Sequence, residues 1–383
     1  MKNSRVAALL CACAVLAAPV TGRAQSTEGL DMQSARDKMQ VARGHRIAYT
    51  KTWDLSALPS YVPKQRVSGT IPIWGSDYIM FGWLGQYWQD AFRTFQPGVT
   101  FDWHMKTTLA AVPSLVFGVS EVGIGRKVTF AELELFERYT SRDPLEVSIA
   151  TGSYDVPGWN PGFGIVVNKA NPIAHISLAQ LDGVFGAERS GGWEGTSWRP
   201  QWARGPERNI RTWGQLGLTG DWANKPIHVY GLNLRYHQAT EISDRVLRGS
   251  DKWNEHLRMY ANYVSQKGTL ERGLDEDLAK DPYGIAYVAA PTVNLGTTAA
   301  PLDLKIIPLA ERNGGPYVPY TIDTLRDRTY PLFDQIYAYA DQATGAKPDP
   351  KVLEFLRFIL SREGQAAVMR DGKYLPLTAD VVR

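Results

Sequence analysis

Cysteine is almost absent from this sequence: among 383 residues there are two, Cys11 and Cys13, both near the start. Once that start is removed, the chain has no thiol for a disulfide, a metal site or nucleophilic catalysis. Long apolar runs are missing too, with one exception. Val6 to Val20 is almost wholly apolar, follows the basic opening "MKNSR" and precedes the small residues of "TGRAQ". These are the three parts of a secretory signal peptide, with cleavage expected after Ala24. The run is shorter than the roughly 20 residues that a membrane-spanning helix needs. Lipid attachment at Cys13 in "LLCAC" is the alternative, although the following "AVLAAPV" is apolar where a polar tether is expected.

An excess of charge of either sign is also lacking. Lys2, Arg5 and Arg23 leave with the leader, which brings the 42 basic residues down to parity with the 39 acidic ones. Parity argues against non-specific binding to nucleic acid or to an anionic membrane. There is no Gly-x-Ser-x-Gly elbow, and His104 and His228 have no partner at metal-ligand spacing, so neither a catalyst nor a metal site is expected. No cofactor is implied. Internal repeats and low-complexity segments are absent.

What the chain does have is layered periodicity. After a polar extension, residues 25–66, short β-rich runs alternate with amphipathic segments, the pattern of an α/β architecture. "VSGTIPIWG" predicts a strand. A helix then opens on Ser76 and Asp77, with Met80, Trp83, Leu84, Tyr87, Trp88 and Phe92 on its core face. "GVTFDW", "EVGIG", "LEVSIAT", "GFGIVVN" and "KPIHVYGLN" predict further strands. "TTLAAVPSLVFG" predicts a helix interrupted at Pro113, and "VTFAELELFERY" one capped by Thr129 with Glu132 completing a capping box. Another helix is expected from Thr240, in "TEISDRVLRG". The stretch from Met259 to Ala290 reads as helix, helix and then a strand at Gly284 to Ala289. "DPKVLEFLRFILSREGQAAVMRDG" is strongly helical and stops at Gly372. Between these lies an aperiodic stretch, residues 188–213, with Trp193, Trp198, Trp202 and Trp213; a loop this long is often functional.

Three landmarks, "KANPIAHISLAQLDGVFG", "YPLFDQIYAYA" and "FLRFILSREGQAAVMRDGKYLPL", occur in the order found in the periplasmic phosphate-binding proteins of ABC importers. From about Val67 onward the chain resembles that PstS-like group. The resemblance implies a two-lobed, type II periplasmic-binding-protein-like fold, with two α/β lobes joined by two hinge strands. Lobe I would comprise residues 67–160 with 284–383, and lobe II residues 161–283. The crossings are expected near Pro157 to Gly164 and near Tyr283 to Ala290.

In such proteins, backbone N–H groups and hydroxyls at helix starts hold a dehydrated oxyanion, with an arginine for charge. Free amides at a helix start make such a site without a charged pocket. Carried onto this sequence, the resemblance implies Gly75, Ser76 and Asp77 as the first ligand loop, Thr107 and Thr108 as the second, and Arg126 as the arginine. For the third loop, Arg235, His237 and Thr240 are the candidates. That loop departs from the group's pattern: an arginine followed by "SGT" is expected, yet Leu232 stands at the arginine position and only Thr240 of the triplet remains. Each buried group left unpaired costs about 1 to 3 kcal/mol, so lost donors weaken an anion site steeply.

The expectation is therefore an exported, periplasmic, monomeric solute-binding protein for phosphate or another small anion, serving ABC permease subunits. The competing expectation is a secreted binding or sensor protein that keeps the fold without phosphate or transport, with the tryptophan-rich stretch as its working surface. An exported phosphate-ester hydrolase has no supporting motif.

Overall fold

All six residues of the run "FGIVVN" are buried, as in a strand covered on both faces. It is one of ten strands that build two five-stranded sheets in this computed structural model, which describes residues 48–156, 159–261, 263–264, 270–271, 273–289, 302–342 and 348–383. In chain order these are β1 (Ser68–Gly75), β2 (Gly98–Met105), β3 (Val122–Gly125), β4 (Leu145–Thr151), β5 (Phe163–Asn168), β6 (His228–Leu232), β7 (Arg258–Tyr260), β8 (Gly284–Ala289), β9 (Leu304–Ile307) and β10 (Gln335–Ala340).

The first sheet runs β2-β1-β3-β10-β4 and the second β7-β6-β8-β5-β9. β1, β2 and β3 are parallel, so their carboxyl ends, Gly75, Met105 and Gly125, lie at one edge of the first sheet. β10 runs antiparallel to β3 and β4, and its start lies beside the end of β4, with Gln335 opposite Thr151. Each sheet has its own core: Ile73, Trp88, Phe92 and Phe355 belong to one, and Val166, Phe185, Trp213 and Tyr287 to the other. The architecture is the two-lobed α/β fold expected from the sequence.

The chain passes between the sheets twice, from β4 to β5 and again from β9 to β10. The two passages are tied together, since Gly152 N–H donates to Asp334 O at 2.8 Å and Phe163 N–H to Leu332 O at 2.9 Å. The second passage is therefore residues 308–334, and not Tyr283 to Ala290 as expected. Gly284–Ala289 is as apolar as a hinge strand would be, but it fills the centre of the second sheet, parallel to β6 and antiparallel to β5. Pro157, Gly158 and Ala290, parts of the expected crossings, lie outside the described residues, as do the leader and residues 25–47.

Local signals were mostly decisive. Thr129 and Glu132 form the expected capping box of the Phe130–Thr140 helix. Gly372 ends the Arg362–Asp371 helix in a left-handed conformation, φ 66°. Tyr49 N–H donates to Gly372 O, and Tyr61 OH to Glu354 Oε2 at 2.7 Å, so the described part of the N-terminal extension is held against the C-terminal helices.

Further expectations fail. The helix at Ser76 spans only Tyr78–Phe81, and a second one, Leu84–Phe95, starts after a break at Gly82 and Trp83. Trp83 turns left-handed, φ 69°, and is exposed instead of joining the core. The helix expected from Thr240 begins at His237. The first helix expected after Met259 is absent: Arg258–Tyr260 pairs with β6 as a strand, and Tyr263–Val264 pairs with Leu270–Glu271. The alternation "RMYANYV" suits an edge strand as well as a helix face, and the open edge of β6 decides it. Pro113 sits inside the first turn of the Ala111–Val116 helix, where its missing N–H costs no hydrogen bond.

Candidate functional site

At the carboxyl end of β1, Gly75 lies flat on β3. Its φ is 146°, and a Cβ there would stand 1.9 Å from Ile124 O, so only glycine lets the two backbones meet. Ser76 N–H then donates to Ile124 O at 2.8 Å. The Ser76 side chain is fully buried, and its Oγ has no hydrogen-bond partner. Asp77 caps the short helix by accepting from Tyr78 N–H at 3.1 Å. Four residues carry little of the aligned dipole that a long helix would bring to an anion, so this loop has amides and a hydroxyl but no strong helix end.

The second loop reaches the same edge. Thr107 N–H donates to Gly75 O at 3.0 Å, its Oγ1 accepts from Leu109 N–H, and Thr108 opens a turn of 3-10 helix. A Cβ on Gly125 would be 3.3 Å from Thr108 O, which places Thr108 beside the end of β3. Arg126 follows directly. It is buried and already engaged, with Nη1 donating to Glu132 Oε2 at 3.0 Å and to Lys127 O at 2.6 Å. Gly75, Ser76, Asp77, Thr107, Thr108 and Arg126 thus converge at the ends of three adjacent strands.

The second-lobe candidates are more open. Arg235 and His237 are exposed at the start of the His237–Val246 helix, whose first turn has no side-chain cap. Thr240 lies within that helix, and its hydroxyl donates back to Tyr236 O, a bond within the helix. Leu232 is core, and its N–H is taken by Tyr287 OH at 3.1 Å. His104 stacks on Trp74 and lies 3.0 Å from Asp102, while His228 Nδ1 lies 2.7 Å from Asp281.

Between the lobes lies a cavity of about 930 Å³, and none of the nine candidates lines it. Its first-lobe wall comes from Lys127 to Phe130 and from Asp143, Pro144 and Glu146. The second-lobe wall comes from Trp193 to Gly195, Trp202, Glu241, Asp244 and Arg245, and Asp334, Gln335 and Tyr337 form the floor. Part of the tryptophan-rich stretch builds this wall. Its paired strands Gly192–Glu194 and Ser197–Arg199 reach the Phe130–Thr140 helix of the other lobe, where Thr196 Oγ1 is 2.9 Å from both carboxylate oxygens of Glu137.

Sequence reasoning missed the carboxyls of this cavity. Glu241 and Asp334 are buried together, and burial pushes both up, Asp334 to about 6. Asp334 is drawn back down by the nearby Arg245 charge and by Gln335 N–H, whereas the charge of Asp334 pushes Glu241 further up. Asp244 opens onto the cavity, but the surrounding walls deprive it of water and raise it to about 6 against the pull of Lys127 and Arg126. Asp334 stood in the landmark "YPLFDQIYAYA" and Glu241 beside Thr240, but neither carries a local signal of burial.

A family model described as "PBP superfamily domain" matches residues 84–363. The chain therefore belongs to the PBP superfamily, and the fold is that of periplasmic-binding-protein-like molecules. It is similar to the phosphate-binding protein PstS of Pseudomonas aeruginosa, 28% identical over 327 residues that cover 85% of this chain and 88% of that protein. Among solved structures, PstS of Borrelia burgdorferi shares 14% identity with a TM-score of 0.47, covering 81% of this chain and 100% of that one. An ABC-type phosphate transport receptor of Vibrio cholerae shares 15% with a TM-score of 0.46, covering 80% and 99%.

Proposed function

We propose that this protein is the periplasmic solute-binding component of an ABC importer, exported by its leader, and that it binds phosphate or a related small oxyanion between its lobes. In this reading it is a receptor and not an enzyme, and permease subunits are its partners. The moving bodies would be residues 67–152 with 334–383, and residues 163–330. Similarity to proteins named as phosphate-binding supports the ligand class. The observation that carries the site is Ser76: a fully buried hydroxyl without a partner stands where three strand ends bring Thr108 and Arg126. A buried hydroxyl left unsatisfied is costly unless something completes it. Gly75 and Asp77 shape that loop, Thr107 adds a second, and Arg235, His237 and Thr240 would close from the other lobe.

A second reading, the same fold without phosphate, is favoured by the acidity of the adjacent cavity and by the engagement of Arg126 with Glu132. Thermal unfolding of residues 25–383 with phosphate, sulfate and arsenate separates the two. A ligand at about 100 times its dissociation constant stabilises by roughly 2.7 kcal/mol. The first reading expects a phosphate shift that Ser76→Ala abolishes; no shift with any oxyanion would leave the second.

A further inference from the structure

The cavity between the lobes has the wrong charge for an anion. Seven carboxylates line it against two cations, Lys127 and Arg245. Three of the seven have a basic neighbour: Glu146 has Lys127 at 2.5 Å, Glu194 has Arg199 at 2.6 Å and Asp251 has Lys252 at 3.4 Å. Asp143, Asp244, Glu241 and Asp334 remain, with Arg245 as the one lining cation not yet assigned. Arg245 is itself committed to backbone, donating to Phe333 O and, at 2.7 Å, to Pro331 O. No ion pair to any of these four carboxylates is formed among the described residues.

Glu241 supplies an independent observation. It is 7% exposed, lines the cavity, and its Oε1 has no hydrogen-bond partner. Beside its contact with Asp334, this carboxyl keeps an oxygen that can accept from a donor entering the cavity. The rest of the wall is aromatic, with Phe130, Trp193, Trp202, Phe333 and Tyr337. Such faces attract cations, and Lys127 already lies over Tyr337 at 5.4 Å and Arg245 over Phe333 at 5.1 Å. The volume is that of a small-molecule site, for which roughly 300 to 1,000 Å³ is usual.

We infer that this cavity binds an organic cation, an aliphatic amine or guanidinium compound whose charge meets Asp244 and Asp334, whose N–H donates to Glu241 and whose methylene body lies against Trp193 and Phe130. The inference does not depend on the oxyanion reading, because the two sites share no lining residue.

Calorimetric titration of the folded protein with spermidine and with agmatine, in 0.15 M NaCl, tests it. Saturable binding of at least one amine is expected. Asp244→Asn should weaken it about fivefold and Glu241→Leu, which removes the acceptor, about tenfold, while thermal unfolding shows both variants folded. Trp193→Ala, which leaves every charge in place, should also weaken it several-fold. Failure of wild type to bind either amine would overturn the inference. So would binding unaltered in Asp244→Asn and Glu241→Leu. Phosphate titrated into the same wild-type sample reports on the strand-end site separately, so failure of one reading is distinguishable from failure of the other.

Discussion

Phe130 and Trp193 meet edge to face, ring centroids 5.1 Å apart, although one heads a helix of the first lobe and the other stands on a hairpin of the second. Such pairs contribute about 0.5 to 1.5 kcal/mol beyond the area they bury. A double-mutant cycle with Phe130→Ala and Trp193→Ala, followed by urea unfolding, should return a coupling in that range. Strictly additive effects would mean that the rings do not meet in solution.

Arg126 and Ser76 are expected to behave in opposite ways when no ligand is present. Arg126 and Glu132 form a buried pair, 6% and 11% exposed, so Arg126→Ala leaves a buried carboxylate short of its partner and should cost about 3 kcal/mol. Ser76→Ala deletes a hydroxyl that bonds to nothing and should leave stability within about 0.5 kcal/mol of wild type or raise it. Urea midpoints of the ligand-free proteins check both. The same comparison makes Ser76→Ala the cleaner probe of anion binding.

Asp371 should make the protein less stable as the pH rises. It is 2% exposed, neither carboxyl oxygen has a hydrogen-bond partner, and burial raises it from 3.8 to about 7. Its folded value exceeds its unfolded one, so its contribution is complete below about pH 4 and is lost as the pH rises through 7. The loss is on the order of 4 kcal/mol. Asp371→Asn removes the titration, so melting temperature measured from pH 5 to 8 should fall less in the variant than in wild type. Parallel curves would refute this.

Gly75→Ala is expected to be severe. The added Cβ would meet Ile124 O at 1.9 Å, at a φ that side chains rarely adopt, for a loss of about 3 kcal/mol. A urea midpoint equal to wild type would show that β1 and β3 do not meet as closely as here.

Much of this fold could be read from residue order alone. The strands of "IPIW" and "GFGIVVN", the Thr129 capping box and the Gly372 stop follow from patterns a few residues long. Gly284–Ala289 was found as a strand but assigned to the wrong lobe, because a strand's own residues do not say which sheet has room for it. The convergence of the first-lobe candidates was legible because they follow strand ends in parallel order. Glu241, Asp244 and Asp334 were not, since their proximity results from the docking of two lobes 90 residues apart in sequence. Trp83 misled for a simpler reason: it fits the helical period, but the turn at Gly82 takes it out of the helix.

The hairpin seated on the first lobe bears on rates as well as on affinity. Where a guest leaves by parting of the lobes, that motion separates Trp193 from Phe130 and breaks the Thr196 to Glu137 bonds. The barrier to release then contains a portion owed to the protein itself and common to every guest. Release rates of one bound solute from wild type and from Trp193→Ala, compared by stopped flow, would measure that portion.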